Sequence, residues 1–139
     1  MTTTTASALK VRHIDHVTIV VKDLEASRKF YVDVLGMEEV ERPAFGFPGL
    51  WFQAGPTQIH LIEQNEESGP AGNQIAADAS ISRTRHFAFE VEDAIAAQAV
   101  LEAAGLRLAA GPKQRPDGPT QIYVQDPDGH LVELFSRND

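Results

Sequence analysis

The 139-residue chain has no cysteine, so a disulfide framework and a thiol nucleophile are both excluded. No apolar run approaches the roughly 20 residues that a helix needs to cross a bilayer, and no membrane partner is expected. Positive charge is scarce. Twelve Lys and Arg against twenty Asp and Glu give a net charge of -8, which opposes nucleic-acid binding, for which a clustered basic surface is required. Residues 1–9, MTTTTASAL, lack the basic start and apolar core of a signal peptide and are read as a tail; a cytoplasmic location is expected. What is present is ordinary for a globular protein, with 42% hydrophobic and 23% charged residues. The length suits one domain, or two small units fused.

A repeat decides for the fused units. The stretch HIDHVTIVVKDLEASRKFYVDVLGM, His13 to Met37, returns in degenerate form as RHFAFEVEDAIAAQAVLEAAGL, Arg85 to Leu106. A shift of 70 aligns His16 with His86, Val21 with Val91 and Asp23 with Asp93. Both copies predict strand, cap and helix. In the first strand the period of two puts Val17, Ile19 and Val21 on one face and His16, Thr18 and Val20 on the other. Phe87, Phe89 and Val91 oppose His86, Ala88 and Glu90 in the same way. An internal repeat of this kind fixes the architecture before any motif is read.

Taken in order, a strand over His13 to Val21 leads to Asp23 as helix N-cap, and the helix runs through Leu35 to Gly36. Strands follow at Met37 to Arg42, Leu50 to Gln53 and Thr57 to Glu63, with an aromatic Gly/Pro loop, PAFGFPG, after the first of them. Residues 10–63 thus form a βαβββ module. Residues 64–82, small, polar and without periodicity, are expected to link it to a second module, residues 83–137, within a single domain over 10–137. The second module has a strand to Val91, a helix from Asp93 to Gly105, a short strand near Leu106 to Ala109, and strands at Thr120 to Gln125 and His130 to Phe135. Asp126-Pro127-Asp128-Gly129 marks a tight turn between the last two. The expected class is α+β, two tandem βαβββ modules forming a curved, incompletely closed mixed sheet around a metal cleft.

Four residues occupy matching strand positions: His16 and His86 in the first strands, His60 and Glu133 in the last. A lone strand histidine is more often a hydrogen-bonded structural residue than a ligand, and a lone strand glutamate is usually solvated. Four at symmetric positions, on faces where an unpaired ionisable group is costly to bury, favour metal binding. Three imidazoles and a carboxylate suit Zn, Ni, Co, Mn or Fe, one divalent ion per site, with room left for water or substrate. His13 and His130 lack such partners and are expected at the surface. Thr18 shares the ligand face, while Phe45, Phe47 and Trp51 are expected as pocket walls. Arg115, like Arg83 and Arg85, could attract an anionic substrate.

The stretches DHVTIVVKDLEASRKFYVDVLGM, IHL, RHFAFEVED and DPDGHLVELF resemble the vicinal oxygen chelate superfamily, which includes glyoxalase I, bleomycin resistance proteins and extradiol dioxygenases. The resemblance spans Val11 to Ser136. It implies metal ligands at His16, His86 and Glu133 with a variable fourth at His60, where glyoxalase I usually carries Glu or Gln. It further implies a homodimer, with the site inside one chain or shared between two. The activity expected from it is that of a lyase or isomerase acting on a small α-oxo compound or its thiol adduct by metal-stabilised enediolate chemistry, with Glu133 as the base. Two alternatives stand beside it: an Fe(II) extradiol-type dioxygenase, and a non-catalytic small-molecule binding or antibiotic resistance protein.

Overall fold

The computed structural model describes residues 7–77 and 79–137; of the tail expected over 1–9, residues 1–6 lie outside the described residues. The first half contains β1 (His16–Val21), α1 (Leu24–Arg28), β2 (Glu38–Val40), β3 (Gly49–Ala54) and β4 (Thr57–Glu63). The second contains β5 (Phe87–Glu90), α2 (Ala94–Ala103), β6 (Ala110–Gln114), β7 (Thr120–Gln125) and β8 (Leu131–Ser136). The two halves build two four-stranded mixed sheets of identical order, β1-β4-β3-β2 and β5-β8-β7-β6, neither of them closed. In each, the first and last strands run parallel and the other pairs antiparallel.

Period-two alternation explains which face is buried. Ile19 and Val21 are buried while His16 and Thr18 are exposed. The apolar faces of both sheets join one core, in which Ile19, Phe52 and Leu61 of the first half meet Leu101, Ile122 and Leu134 of the second. The helix starts are built as their sequences require. Asp23 accepts hydrogen bonds from the backbone of Glu25 (3.0 Å) and Ala26 (3.4 Å), and Asp93 does the same for Ile95 and Ala96. Each such cap contributes about 1 kcal/mol.

Three features depart from the sequence expectation. The first helix is α-helical only to Arg28 and continues over Lys29–Val34 as a wider turn, closed by a bond from the Leu35 N–H to the Phe30 carbonyl (2.9 Å). The consecutive rings of Phe30 and Tyr31 are both buried there, edge to face at 4.8 Å. Strand β6 begins at Ala110, after the expected 106–109, and runs through Pro112. As an edge strand with an irregular register between Ala110 and Lys113, it tolerates the missing N–H. His130 is not at the surface: it is buried, and its Nε2 donates to the Val20 carbonyl at 3.0 Å.

His130 belongs to the contact that joins the two halves. The buried Tyr31 hydroxyl donates to Asp126 Oδ2 (2.8 Å), while Asp126 Oδ1 accepts from the backbone of Asp128 and His130. Asp128 Oδ1 in turn accepts from the Lys22 N–H at 3.1 Å. The Asp-Pro-Asp-Gly turn therefore clamps the start of the first helix, besides reversing the chain. Burial raises the Asp126 carboxyl above its ordinary range, and burial next to Asp126 raises the Tyr31 phenol far above its own. Among the described residues no helix is long and apolar enough to cross a membrane.

Candidate functional site

Register settles what shares the polar face of the first sheet, because residues directly opposite on paired strands point to the same side. His16, Gln58 and Gln53 form one row; Thr18, His60, Trp51 and Val40 form the next. Across these rows the His60 ring lies between two others. Trp51 stacks on it at 4.0 Å with 4° between planes, and His16 stacks at 4.0 Å with 14°. His16 Nδ1 bonds the Asp15 carboxylate at 2.8 Å. A carboxylate only accepts, so that nitrogen carries the hydrogen and a neutral His16 presents a bare Nε2. His60 Nε2 meets Gln58 Oε1 at 2.8 Å, and Gln58 Nε2 donates onward to Gln53. This leaves Nδ1 as the free nitrogen of His60. Burial first, and the neighbouring His16 second, hold the His60 imidazole below its ordinary pKa, with Arg42 adding to the effect. The Asp15 carboxyl is lowered by its bond with His16.

On the second sheet Ala88, Glu133 and Tyr123 share a row. Glu133 is 5% exposed. Its Oε2 accepts from Gln121 Nε2 at 3.0 Å, and its Oε1 stands 3.0 Å from His86 Nε2. His86 Nδ1 is committed to the Thr84 carbonyl at 2.7 Å, which can only accept. A neutral His86 would therefore aim a lone pair at a carboxylate oxygen. The contact demands a shared proton or a cation. Two metal bonds of about 2.1 Å at right angles leave their donor atoms roughly 3 Å apart, so the spacing also suits two ligands of one ion. Tyr123, buried and edge-on to His86 at 5.5 Å, has its phenol pushed up to about 12 by burial and then by the Glu133 charge. It stays protonated at neutral pH.

The four expected ligands thus fall into two pairs, His16 with His60 and His86 with Glu133. Among the described residues, no three His, Cys, Asp or Glu side chains converge as a metal-holding group. Between the two halves, Thr18 and Val20 of β1 line a cavity of about 360 Å³ together with Arg85, His86 and His130. A larger groove of about 930 Å³ lies beside it, walled by Val17, Ile59, Phe87 and Phe89; His86 lines both. Phe45 and Phe47 are half exposed and stacked on each other, with Phe45 tilted against Trp51 at 6.1 Å. Arg115 is paired with Asp117, which raises its pKa first, and the Glu133 charge adds to the rise.

Asp15, Gln58, Gln121 and Tyr123 did not stand out in the sequence. Asp15 could have been found from its place beside His16. Gln121 and Tyr123 lie on the Glu133 side of β7 only by register, which a single strand does not reveal.

Comparison with known proteins bears on the family and the fold. Residues 13–134 match the family model described as Glyoxalase/Bleomycin resistance protein/Dioxygenase superfamily. A glyoxalase domain-containing protein of Mycosarcoma maydis is 33% identical over 94% of this chain and 72% of its own length. An ethylmalonyl-CoA/methylmalonyl-CoA epimerase of Cereibacter sphaeroides is 31% identical over 89% of this chain and 97% of its own. Among solved structures, a glyoxalase/dioxygenase from Nostoc punctiforme superposes with a TM-score of 0.75 at 26% identity, covering 100% of both chains. Two four-stranded sheets of like order, a repeated strand, cap and helix, and a family match over nearly the whole chain make this protein a member of the Glyoxalase/Bleomycin resistance protein/Dioxygenase superfamily.

Proposed function

We propose that the chain is a divalent-metal-dependent enzyme of glyoxalase type, a lyase or isomerase that shifts a proton between adjacent carbons of a small α-oxo compound or its thiol adduct. One observation carries the reading: His86 Nε2 faces Glu133 Oε1 at 3.0 Å while its Nδ1 hydrogen is already given to Thr84. The donor types suit a divalent ion: His16 and His86 would each offer Nε2, Glu133 Oε1, and His60 its Nδ1 once its ring turns out of the stack with His16. Such an ion, when bound, would supply Lewis-acid polarisation of the two vicinal substrate oxygens.

The remaining work falls to the chain. The Glu133 carboxylate, once free of His86, takes the proton α to the carbonyl and returns it to the neighbouring carbon. Gln121 holds its second oxygen, fixing the direction of the first. The low exposure of Glu133 keeps water from competing for the proton. Thr18, which lines a cavity with His86, would donate to a substrate oxygen. The relative named as an epimerase agrees with proton transfer of this kind. Because one chain separates the ligands into two pairs, a symmetric homodimer that sets the first sheet of one copy against the second sheet of another would gather them. A cytoplasmic location accords with this reading.

The test is solvent deuterium exchange at the α carbon, followed by NMR, over a panel of α-oxo acids and glutathione adducts of α-oxoaldehydes with metal-loaded protein. Exchange in the wild type that is lost in Glu133→Gln is expected. Unchanged exchange in that variant sinks the role of Glu133, and oxygen uptake with Fe²⁺ and catechols in place of exchange would assign ring cleavage instead. No turnover with any metal leaves the binding-protein reading.

A further inference from the structure

The polar face of the first sheet extends one row beyond His60, to Val20, Ile62 and Gly49. Arg42, two residues past Val40, takes the outer place in that row, against Gly49. A Cβ on Gly49 would lie 2.4 Å from the Leu61 carbonyl, which requires glycine there, and 2.9 Å from the Arg42 guanidinium, which packs over that glycine. The rings of Phe45 and Phe47 cover it at 4.7 and 4.9 Å from their centroids. These rings continue through Trp51 to His60 and His16, giving an unbroken aromatic row from the loop to the histidines.

Arg28 pairs with Glu25 and Glu39, Arg115 with Asp117, and Arg137 with Glu90. Of the arginines without an acid partner among the described residues, Arg12, Arg42, Arg83, Arg85 and Arg107, Arg42 is the one that lies over aromatic rings. Arg42 has no ion pair among the described residues; Glu66 and Glu67 line a groove with Phe47 but do not reach it. An arginine presents five donors in a planar fork that matches a carboxylate. Here that fork is half buried, its centre lies 4.7 and 4.9 Å from two ring centroids, and it makes no hydrogen bond or ion pair among the described residues.

We propose that Arg42, with Phe45, Phe47 and Trp51, forms a subsite for a planar conjugated carboxylic acid, whose carboxylate takes the guanidinium and whose unsaturated system stacks on the aromatic row. This deepens the function proposed above, because such an acid would direct its oxo group towards His60 and His16. The binding itself needs neither metal nor Glu133.

Trp51 is the chain's one tryptophan, so its fluorescence reports on this face. The full chain, treated with chelator, is titrated with benzoylformate and separately with its uncharged analogue benzoylformamide. Saturable quenching by the acid, at least ten-fold tighter than by the amide, is expected. Arg42→Gln should remove that ten-fold preference without changing amide affinity, Arg42→Lys should keep part of it, and Phe45→Leu should weaken both ligands. Equal affinity for acid and amide in the wild type, no quenching by either, or an Arg42→Gln variant of unchanged melting temperature that keeps the preference, each overturns the subsite. Carboxylate binding that persists in Glu133→Gln while proton exchange is absent from every form would retain the subsite and refute only the catalytic reading.

Discussion

Replacing Glu133 by alanine and by glutamine separates its structural part from its chemical one. The carboxylate is 5% exposed, accepts from Gln121 and abuts His86, both at 3.0 Å. Alanine strands the buried Gln121 amide, at about 1–3 kcal/mol for an unsatisfied donor, and removes the His86 contact as well. A total near 2–4 kcal/mol follows, below the roughly 3–5 kcal/mol for breaking a fully buried pair because the charge is itself removed. At about 3 °C per kcal/mol for a domain of this size, Tm falls by roughly 6–12 °C. Glutamine behaves differently. Its amide donates to the bare His86 nitrogen and its oxygen accepts from Gln121, so no buried group is stranded and stability stays within about 1 kcal/mol of the wild type. A divalent ion at a hundred times its Kd adds about 2.7 kcal/mol to the wild type, a further rise of roughly 8 °C. The alanine variant should lose that rise, and the glutamine variant, whose neutral amide oxygen is a weaker ligand, should keep only part of it. Thermal denaturation of chelator-treated protein, with and without Zn²⁺ or Ni²⁺, reads all four quantities. An alanine variant as stable as the wild type would refute the hydrogen-bonded network, and a glutamine variant with the full metal-induced rise would refute Glu133 as a ligand.

Three further predictions concern assembly. Tyr31→Phe removes a buried donor from Asp126 and should cost about 1.5–3 kcal/mol in urea denaturation; a loss below about 0.5 kcal/mol would show that the clamp between the halves is weak. The Asp126 carboxyl is raised from its ordinary value of 3.8, mainly by burial, so the native state holds that proton more tightly than the unfolded chain. Its contribution is then fully present below 3.8 and is lost as pH climbs through the raised native value. Asp126→Asn should flatten the pH dependence of stability across that window, and an unchanged slope would remove Asp126 as its source. Light scattering of the metal-loaded protein should give two chains per particle, whereas a monomer at every concentration would rule out a site completed by a second copy.

The sequence determined those features that depend on a residue's immediate neighbours. Asp23 and Asp93 start helices because an aspartate before an apolar helical run satisfies free N–H groups wherever the run packs. His16 and Thr18 lie opposite Ile19 and Val21 because side chains alternate along any strand. The internal repeat announced two sheets of like order, and family motifs near each strand carried the recognition further than periodicity could. Tertiary structure decided the rest. That His60 sits between Trp51 and His16, that Gln121 rather than water holds Glu133, and that the four expected ligands form two pairs are all consequences of strand register. Strand β6 could take Pro112 only by being an edge, a property of sheet order. Tyr31 meets Asp126 across 95 positions, and His130 meets Val20 across 110. Alternation and capping are local energies written into consecutive residues, whereas these partners are chosen by the one packing of two sheets and their turns that leaves few buried polar groups unpaired.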